Sequence, residues 1–272
     1  MNFYHKLQSV KQRIKHKLKL SRRKIDFIII GVQKSGTTAL DSYLRGQHHQ
    51  ICMADYKELH YFDTDNLFTN GQPDYCFYQS FFSPKKSHQI IGETTPIYLY
   101  WRDALKRISH YNSDIKLIVL LRNPIERAYS HWNMSCDNGK EDLGFLSALK
   151  AESARAEKQA PEQLRTHSYI DRGLYVKQLK TLWQHFPKNQ TLVLKSEQLQ
   201  QNPQQTIDKI CDFLGVEKIN NVKPIKANSR QYPQTMSAED RQYLINVFTP
   251  EIKDLEKLLS WNCSNWLAQN DN

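Results

Sequence analysis

The sequence predicts an α/β fold: a doubly wound, mostly parallel sheet flanked by helices. Short apolar runs of strand length recur along the chain, and amphipathic helical stripes sit between and after them. A glycine-bearing turn joins the first run to the first helix. Strands alternating with helices imply crossover units, and those place parallel strands side by side.

The elements follow in chain order. Residues 1–24 hold nine Lys and Arg (Lys6, Lys11, Arg13, Lys15, Lys17, Lys19, Arg22, Arg23 and Lys24) and no acid, so they account for most of the formal charge of +10. Val10, Ile14, Leu18 and Leu20 fall near helical spacing among them, which would suit a peripheral contact with an anionic membrane surface. The apolar face is narrow, and a solvated basic extension is the preferred reading. Phe27-Ile28-Ile29-Ile30 reads as a strand buried on both faces. Gly31 to Gly36 breaks it, and 37–44 reads as a helix. His48 and His49 follow in a polar loop and read as solvated. Further strands are expected at 89–91, 116–121 and 191–194. In 173–186, Tyr175, Leu179, Leu182, Trp183 and Phe186 form one stripe; 203–214 and 239–248 look similar. The polar stretch 135–167 has no strand signal and reads as a helical or mobile excursion. Residues 25–272 are expected to form a single domain.

Composition narrows the function. Five scattered cysteines, none in a C-x-x-C pair, argue against zinc and redox motifs and for a reduced protein. No run approaches the ~20 apolar residues of a membrane span, and the N-terminus lacks a signal-peptide apolar core. The expected location is cytoplasmic, with peripheral contact at the inner membrane surface the alternative. No recognition helix, RNA-binding aromatic signature or finger spacing supports a nucleic-acid partner.

Chemistry concentrates in two places. Between the first strand and helix lies Gly31-Val32-Gln33-Lys34-Ser35-Gly36-Thr37-Thr38. Such a turn points backbone N–H groups at an anion, and the helix dipole adds to the attraction. Lys34 supplies a compact charge, and Thr37 and Thr38 supply hydroxyls. The loop is P-loop-like but departs from G-x-x-x-x-G-K-[ST], because its lysine precedes Gly36 instead of following it. The second place is Arg122-Asn123-Pro124-Ile125-Glu126-Arg127-Ala128-Tyr129-Ser130 after the 116–121 run. Pro124 suits the first turn of a helix, which puts Arg127 and Ser130 on one face. Arg122 would sit at the carboxyl end of its strand, where such folds bind ligands. An arginine and a serine hydroxyl there suit a second phosphate; an ion pair of Glu126 with a neighbour is the plain alternative for Arg127.

With both segments in view, the chain resembles the 3′-phosphoadenosine-5′-phosphosulfate (PAPS)-dependent sulfotransferases from about Phe27 to the last tryptophans. Gln33 to Thr38 resembles the family's 5′-phosphosulfate loop, and Arg122 to Ser130 its 3′-phosphate motif. The branch it resembles most is that of the heparan-sulfate glucosaminyl 3-O- and N-sulfotransferases and their bacterial relatives. Lys57-Glu58-Leu59-His60-Tyr61-Phe62-Asp63 is similar to that branch's K-E-x-H-F-F-D segment. Gly92-Glu93-Thr94-Thr95-Pro96 is similar to the segment after its next strand, with Thr94 where some relatives carry a lysine. Arg172-Gly173-Leu174-Tyr175 and Ser229-Arg230-Gln231-Tyr232-Pro233 also fit.

The resemblance implies PAPS as donor, 3′,5′-adenosine bisphosphate (PAP) as product and no metal requirement. It implies Gln33, Lys34, Ser35, Gly36, Thr37, Thr38, Arg122, Ser130, Tyr175 and Arg230 as cofactor residues. Glu58 is implied as general base; Lys34 and His60 join it in the catalytic set, and Glu58, His60, Asp63 and Thr94 face the acceptor. His131 is read as structural, and Trp261 and Trp266 as packing residues. The expected acceptor is a glycan; O- versus N-sulfation and oligomeric state stay open. Two other readings remain at this level: a P-loop kinase of small molecules or nucleotides, and a non-catalytic module that binds anionic polysaccharide or membrane through the basic N-terminus.

Overall fold

The computed structural model describes residues 23–69, 71–225 and 235–268. The expected basic extension therefore lies almost entirely outside the described residues, as does Arg230. Five strands form one sheet: β1 Phe27–Gly31, β2 Ile51–Met53, β3 Ile90–Thr94, β4 Lys116–Leu121 and β5 Thr191–Lys195. Their order is β2-β3-β1-β4-β5, and every pairing is parallel. The helices in chain order are α1 Thr37–Gln47, α2 Asn66–Thr69, α3 Tyr75–Gln79, α4 Ala104–Tyr111, α5 Pro124–Asp137, α6 Phe145–Gln159, α7 Tyr175–His185, α8 Ser196–Gln201, α9 Pro203–Leu214 and α10 Ala238–Leu259.

The apolar run at the start has a simple cause. Ile28 and Ile30 point into one buried layer and Phe27 and Ile29 into the other, so both faces of β1 demand apolar side chains. The first layer packs against Leu105 and Ile108 of α4, Ile125 of α5, Leu179 of α7 and Phe248 of α10. The second packs against Leu40 and Leu44 of α1 and Ile207 and Ile210 of α9. Helices thus cover both faces, as the doubly wound expectation requires. No described helix is long and apolar enough to cross a membrane.

Three features depart from the expectations, and the 135–167 excursion takes the helical form expected of it. β2 is only three residues long, and β3 runs on from Ile91 through Thr94, past the point where Gly92 ends the apolar pattern. Helix α10 continues past Pro250 for nine residues because Phe248, Ile252 and Leu255 keep it seated in the core. The 135–167 excursion holds the end of α5 and all of α6. His48 is not solvated: it is buried, with Nε2 2.8 Å from the Glu217 carbonyl and Nδ1 accepting from the Gln50 amide. His49 is the exposed member of the pair.

Because all five strands run the same way, their carboxyl ends share one edge of the sheet. That edge carries the 31–36 loop after β1, the 54–65 segment after β2, Thr95-Pro96 after β3, Arg122 after β4 and Ser196 after β5. The sequence motifs converge there for a topological reason.

Candidate active site

The loop after β1 is held by its backbone. Val32 donates to the Leu120 carbonyl at 2.9 Å, and Ser35 to the Val32 carbonyl at 3.2 Å. Gly31 passes so close to Leu99 that a Cβ would stand 2.9 Å from its Cδ2. Lys34 takes a φ of 73° and Gly36 a φ of 86°, and this left-handed bend turns the chain into α1. A left-handed bend leading into a helix N-terminus is the kind of backbone that can cradle an oxyanion. Ser35 is buried and its Oγ has no hydrogen-bond partner, and Thr37 is buried at the helix start. An orphaned, buried hydroxyl beside a helix N-terminus fits the phosphosulfate group expected there. Thr38 lies outward on the first turn and is exposed.

Arg122 reaches back across the sheet edge, donating from Nη1 to the Lys34 carbonyl at 3.0 Å. Its own carbonyl accepts from the Tyr175 hydroxyl at 2.9 Å. Helix α5 begins as expected: Pro124 opens it, and the Asn123 side chain accepts from the Ile125 amide at 3.0 Å. Ser130 is buried on this helix, two turns from Arg122. Glu126 pairs with Arg241, so the ion-pair alternative does not account for Arg127. Arg127 is fully buried, donates from Nη2 to the Tyr169 carbonyl, and leaves Nε and Nη1 without hydrogen-bond partners.

The third group lies on the segment after β2. The Glu58 amide donates to the Thr94 carbonyl at 2.8 Å, extending the sheet by one contact and fixing where the carboxylate stands. Glu58 and His60 both take left-handed backbone, with φ of 61° and 52°, and such strain concentrates at functional sites. Glu58 pairs with Lys57, and its Oε2 lies 3.6 Å from His60 Nε2. His60 Nδ1 lies 2.9 Å from Oδ2 of the fully buried Asp63. Arg165 binds that same carboxylate oxygen and donates to the Asp63 carbonyl at 2.6 Å.

Charge in this cluster follows from the contacts. Burial pushes the Glu58 carboxyl up, but the neighbouring His60 ring and the Lys57 ammonium outweigh it and bring the pKa to about 2. Burial pulls His60 down, but its hydrogen bond to Asp63 and the nearby Glu58 carboxylate win and raise it to about 9. Asp63, pushed up by burial, is held below the usual range by His60 and Arg165. The result is an imidazolium clamped between two carboxylates. Beneath it, buried Glu93 accepts from Tyr78 at 2.6 Å and Thr95 at 2.7 Å, and burial lifts its pKa to about 7. Tyr98 links that carboxyl to the loop, because its oxygen accepts the Tyr61 amide at 2.9 Å.

A cleft of about 860 Å³ opens between the donor loop and this cluster, walled by Gln33, Glu58, His60, His131, Arg165 and Arg172 among others. The structure therefore brings Gln33, Glu58 and His60 to one cavity. Thr94 is not on its wall: it is buried with its hydroxyl unpartnered, and it acts through the carbonyl that holds Glu58. Asp63 stands behind His60. Several cleft residues had no site role assigned from the sequence, His131, Arg165 and Lys140 among them. His131 is buried beside the donor loop, and desolvation together with the charges of Arg172, Arg127 and Lys34 pushes its pKa down, so it is neutral. Arg165 and Lys140 come from the 135–167 excursion, which shows no spacing pattern that would flag them.

Comparison with known proteins agrees with this architecture. The sulfotransferase domain family matches residues 24–237. Heparan sulfate glucosamine 3-O-sulfotransferase 3B1 of Mus musculus is 33% identical over 214 residues, 78% of this chain and 52% of that protein. The chain spans about half the length of the curated relatives it matches. A solved sulfotransferase from Alicyclobacillus acidocaldarius superposes with a TM-score of 0.76 at 26% identity, covering 90% of this chain and 100% of that one. Mouse sulfotransferase SULT7A1, solved in complex with PAP, shares the fold at a TM-score of 0.56 and 14% identity, covering 93% and 94%. With one family matched from the first strand to the start of α10, and relatives above 30% identity over most of its length, the chain belongs to the sulfotransferase family.

Proposed function

We propose that this protein transfers a sulfuryl group from PAPS to a hydroxyl or amine of a glycan, with a heparan-sulfate-type sugar the first acceptor to test. The observation that carries the reading is one cleft with Gln33 of the 31–36 loop on one wall and a carboxylate held in a charged cluster on the other. The curated relatives bear the name of heparan sulfate glucosamine 3-O-sulfotransferases, which supports the acceptor class.

The residues divide the work as follows. Ser35, the amides at the start of α1, Thr37 and Thr38 hold the 5′-phosphosulfate end of the donor, and Lys34 offsets the charge that grows on the leaving phosphate. Arg122 and Ser130 hold the 3′-phosphate, and Tyr175 fixes Arg122 through its carbonyl. Glu58 takes the proton of the acceptor. A carboxylate held this low is a weak base before reaction, but the acceptor proton becomes acidic as its heteroatom bonds to sulfur, so transfer comes late along an in-line path. His60 and Lys57 keep Glu58 ionised and aimed until then.

The test is transfer of labelled sulfate from PAPS to heparan sulfate oligosaccharides. Glu58→Gln should lower kcat by about 10²–10⁴ and leave PAP affinity unchanged. Undiminished turnover in that variant would remove Glu58 from the base role.

A further inference from the structure

A chain of hydrogen bonds, closed by one ion pair, joins the two walls of the cleft. At the donor wall, the Gln33 side-chain carbonyl accepts from Arg172 Nη1 at 2.6 Å. Arg172 is buried, stacks over Tyr100 with its guanidinium carbon 4.6 Å from the ring centre, and donates from Nη2 to the Arg165 carbonyl. Arg165 then turns its guanidinium to the other wall, with Nη1 on the Asp63 carboxylate and Nη2 on the Asp63 carbonyl. Asp63 holds His60, and His60 faces Glu58. Every link but the last is a hydrogen bond.

Arg165 is placed for one purpose by three independent constraints. Its two-point grip on Asp63 fixes both the carboxylate and the backbone of that residue, a planar fork that a lysine cannot reproduce. Its guanidinium carbon lies 4.1 Å from the ring centre of Trp101, which sets the plane of the fork. Its backbone is held by Arg172, so its position depends on the donor loop. It also borders both the 860 Å³ cleft and an adjoining cavity of about 730 Å³, so it stands between solvent and the buried Asp63 carboxylate.

We propose that Arg165 is a positioning residue for the acceptor base. It locks Asp63, and through it His60 and Glu58, in register with the donor loop that Arg172 grips at Gln33. The proposal rests on the reading of Glu58 as base given above. Arg165 touches neither the base nor the donor loop, and it acts through Asp63 and Arg172.

The experiment compares wild type, Arg165→Met, Arg165→Lys and Asp63→Asn by three readouts. The first is PAP binding by calorimetry. The second is the downfield proton resonance of the His60 Nδ1–H bonded to a buried carboxylate, assigned by its loss in His60→Gln. The third is the split of kcat and KM for PAPS, with a heparan sulfate oligosaccharide as acceptor. Because 44% of the Arg165 side chain is exposed, its truncation should leave the fold intact. Arg165→Met should bind PAP within about twofold of wild type, lose the resonance to exchange with water, and lose about tenfold or more in kcat, a part of what a general base supplies. Arg165→Lys should fall between, and Arg165→Met added to Asp63→Asn should lose nothing further, because both act through one contact. A sharp resonance and full kcat in Arg165→Met would overturn the proposal. Failure of wild type itself to bind PAP would overturn the sulfotransferase reading and the proposal with it, a result told apart from the first by the PAP titration alone.

Discussion

At the residue scale, the cluster around His60 is a charge problem solved by contacts. Two carboxylates that close together repel, and the imidazolium between them is what lets both stay ionised. This gives stability a pH dependence of known sign. The folded pKa of His60, about 9, lies above its ordinary value of about 6.5. Its contribution is therefore fully present below about 6.5 and is lost as pH rises through about 9. The melting temperature should fall between those values, and His60→Gln should flatten the fall; equal slopes in the two proteins would remove His60 as the cause. The family segment named Glu58, His60 and Asp63 from the sequence. Arg165 was hidden because it meets Asp63 across 102 positions of chain, and such a contact leaves no local pattern.

At the element scale, the site is made by what the strands end in. Phosphates demand contiguous backbone, so the β1 loop and the start of α5 could be read from spacing alone: Gly36 bends where the sequence requires it, and Pro124 opens its helix. Three-residue β2 carries too little alternation to be seen, yet it delivers the Glu58 segment to the same edge. The rest of the cleft wall draws on α5, the excursion and the loop before α7, and none of these pairings follows from periodicity. The bend at Gly36 gives a direct check. Alanine there must hold a φ of 86° and bring its Cβ to 3.4 Å from Ser196 Oγ. Gly36→Ala should lose about 1–2 kcal/mol of stability in urea unfolding and bind PAP more weakly. Unchanged stability and binding would show that the left-handed bend is dispensable.

At the scale of the whole molecule, five parallel strands bring the loops that follow them to one edge, and helices cover both faces of the sheet. The donor half rests on contiguous motifs, so the family resemblance carries a proposed ligand to it; the acceptor half is assembled from distant segments, so the resemblance carries only a proposed class. The central claim is that the edge is a PAPS site. It is tested most directly by titrating the purified protein with PAP in a calorimeter without added magnesium, using ATP and Lys34→Ala as controls. The account predicts micromolar PAP binding, little ATP binding, and a loss of about tenfold or more in Lys34→Ala, where a charge-assisted contact to phosphate is removed. Binding of ATP with magnesium in the absence of any PAP binding would contradict it.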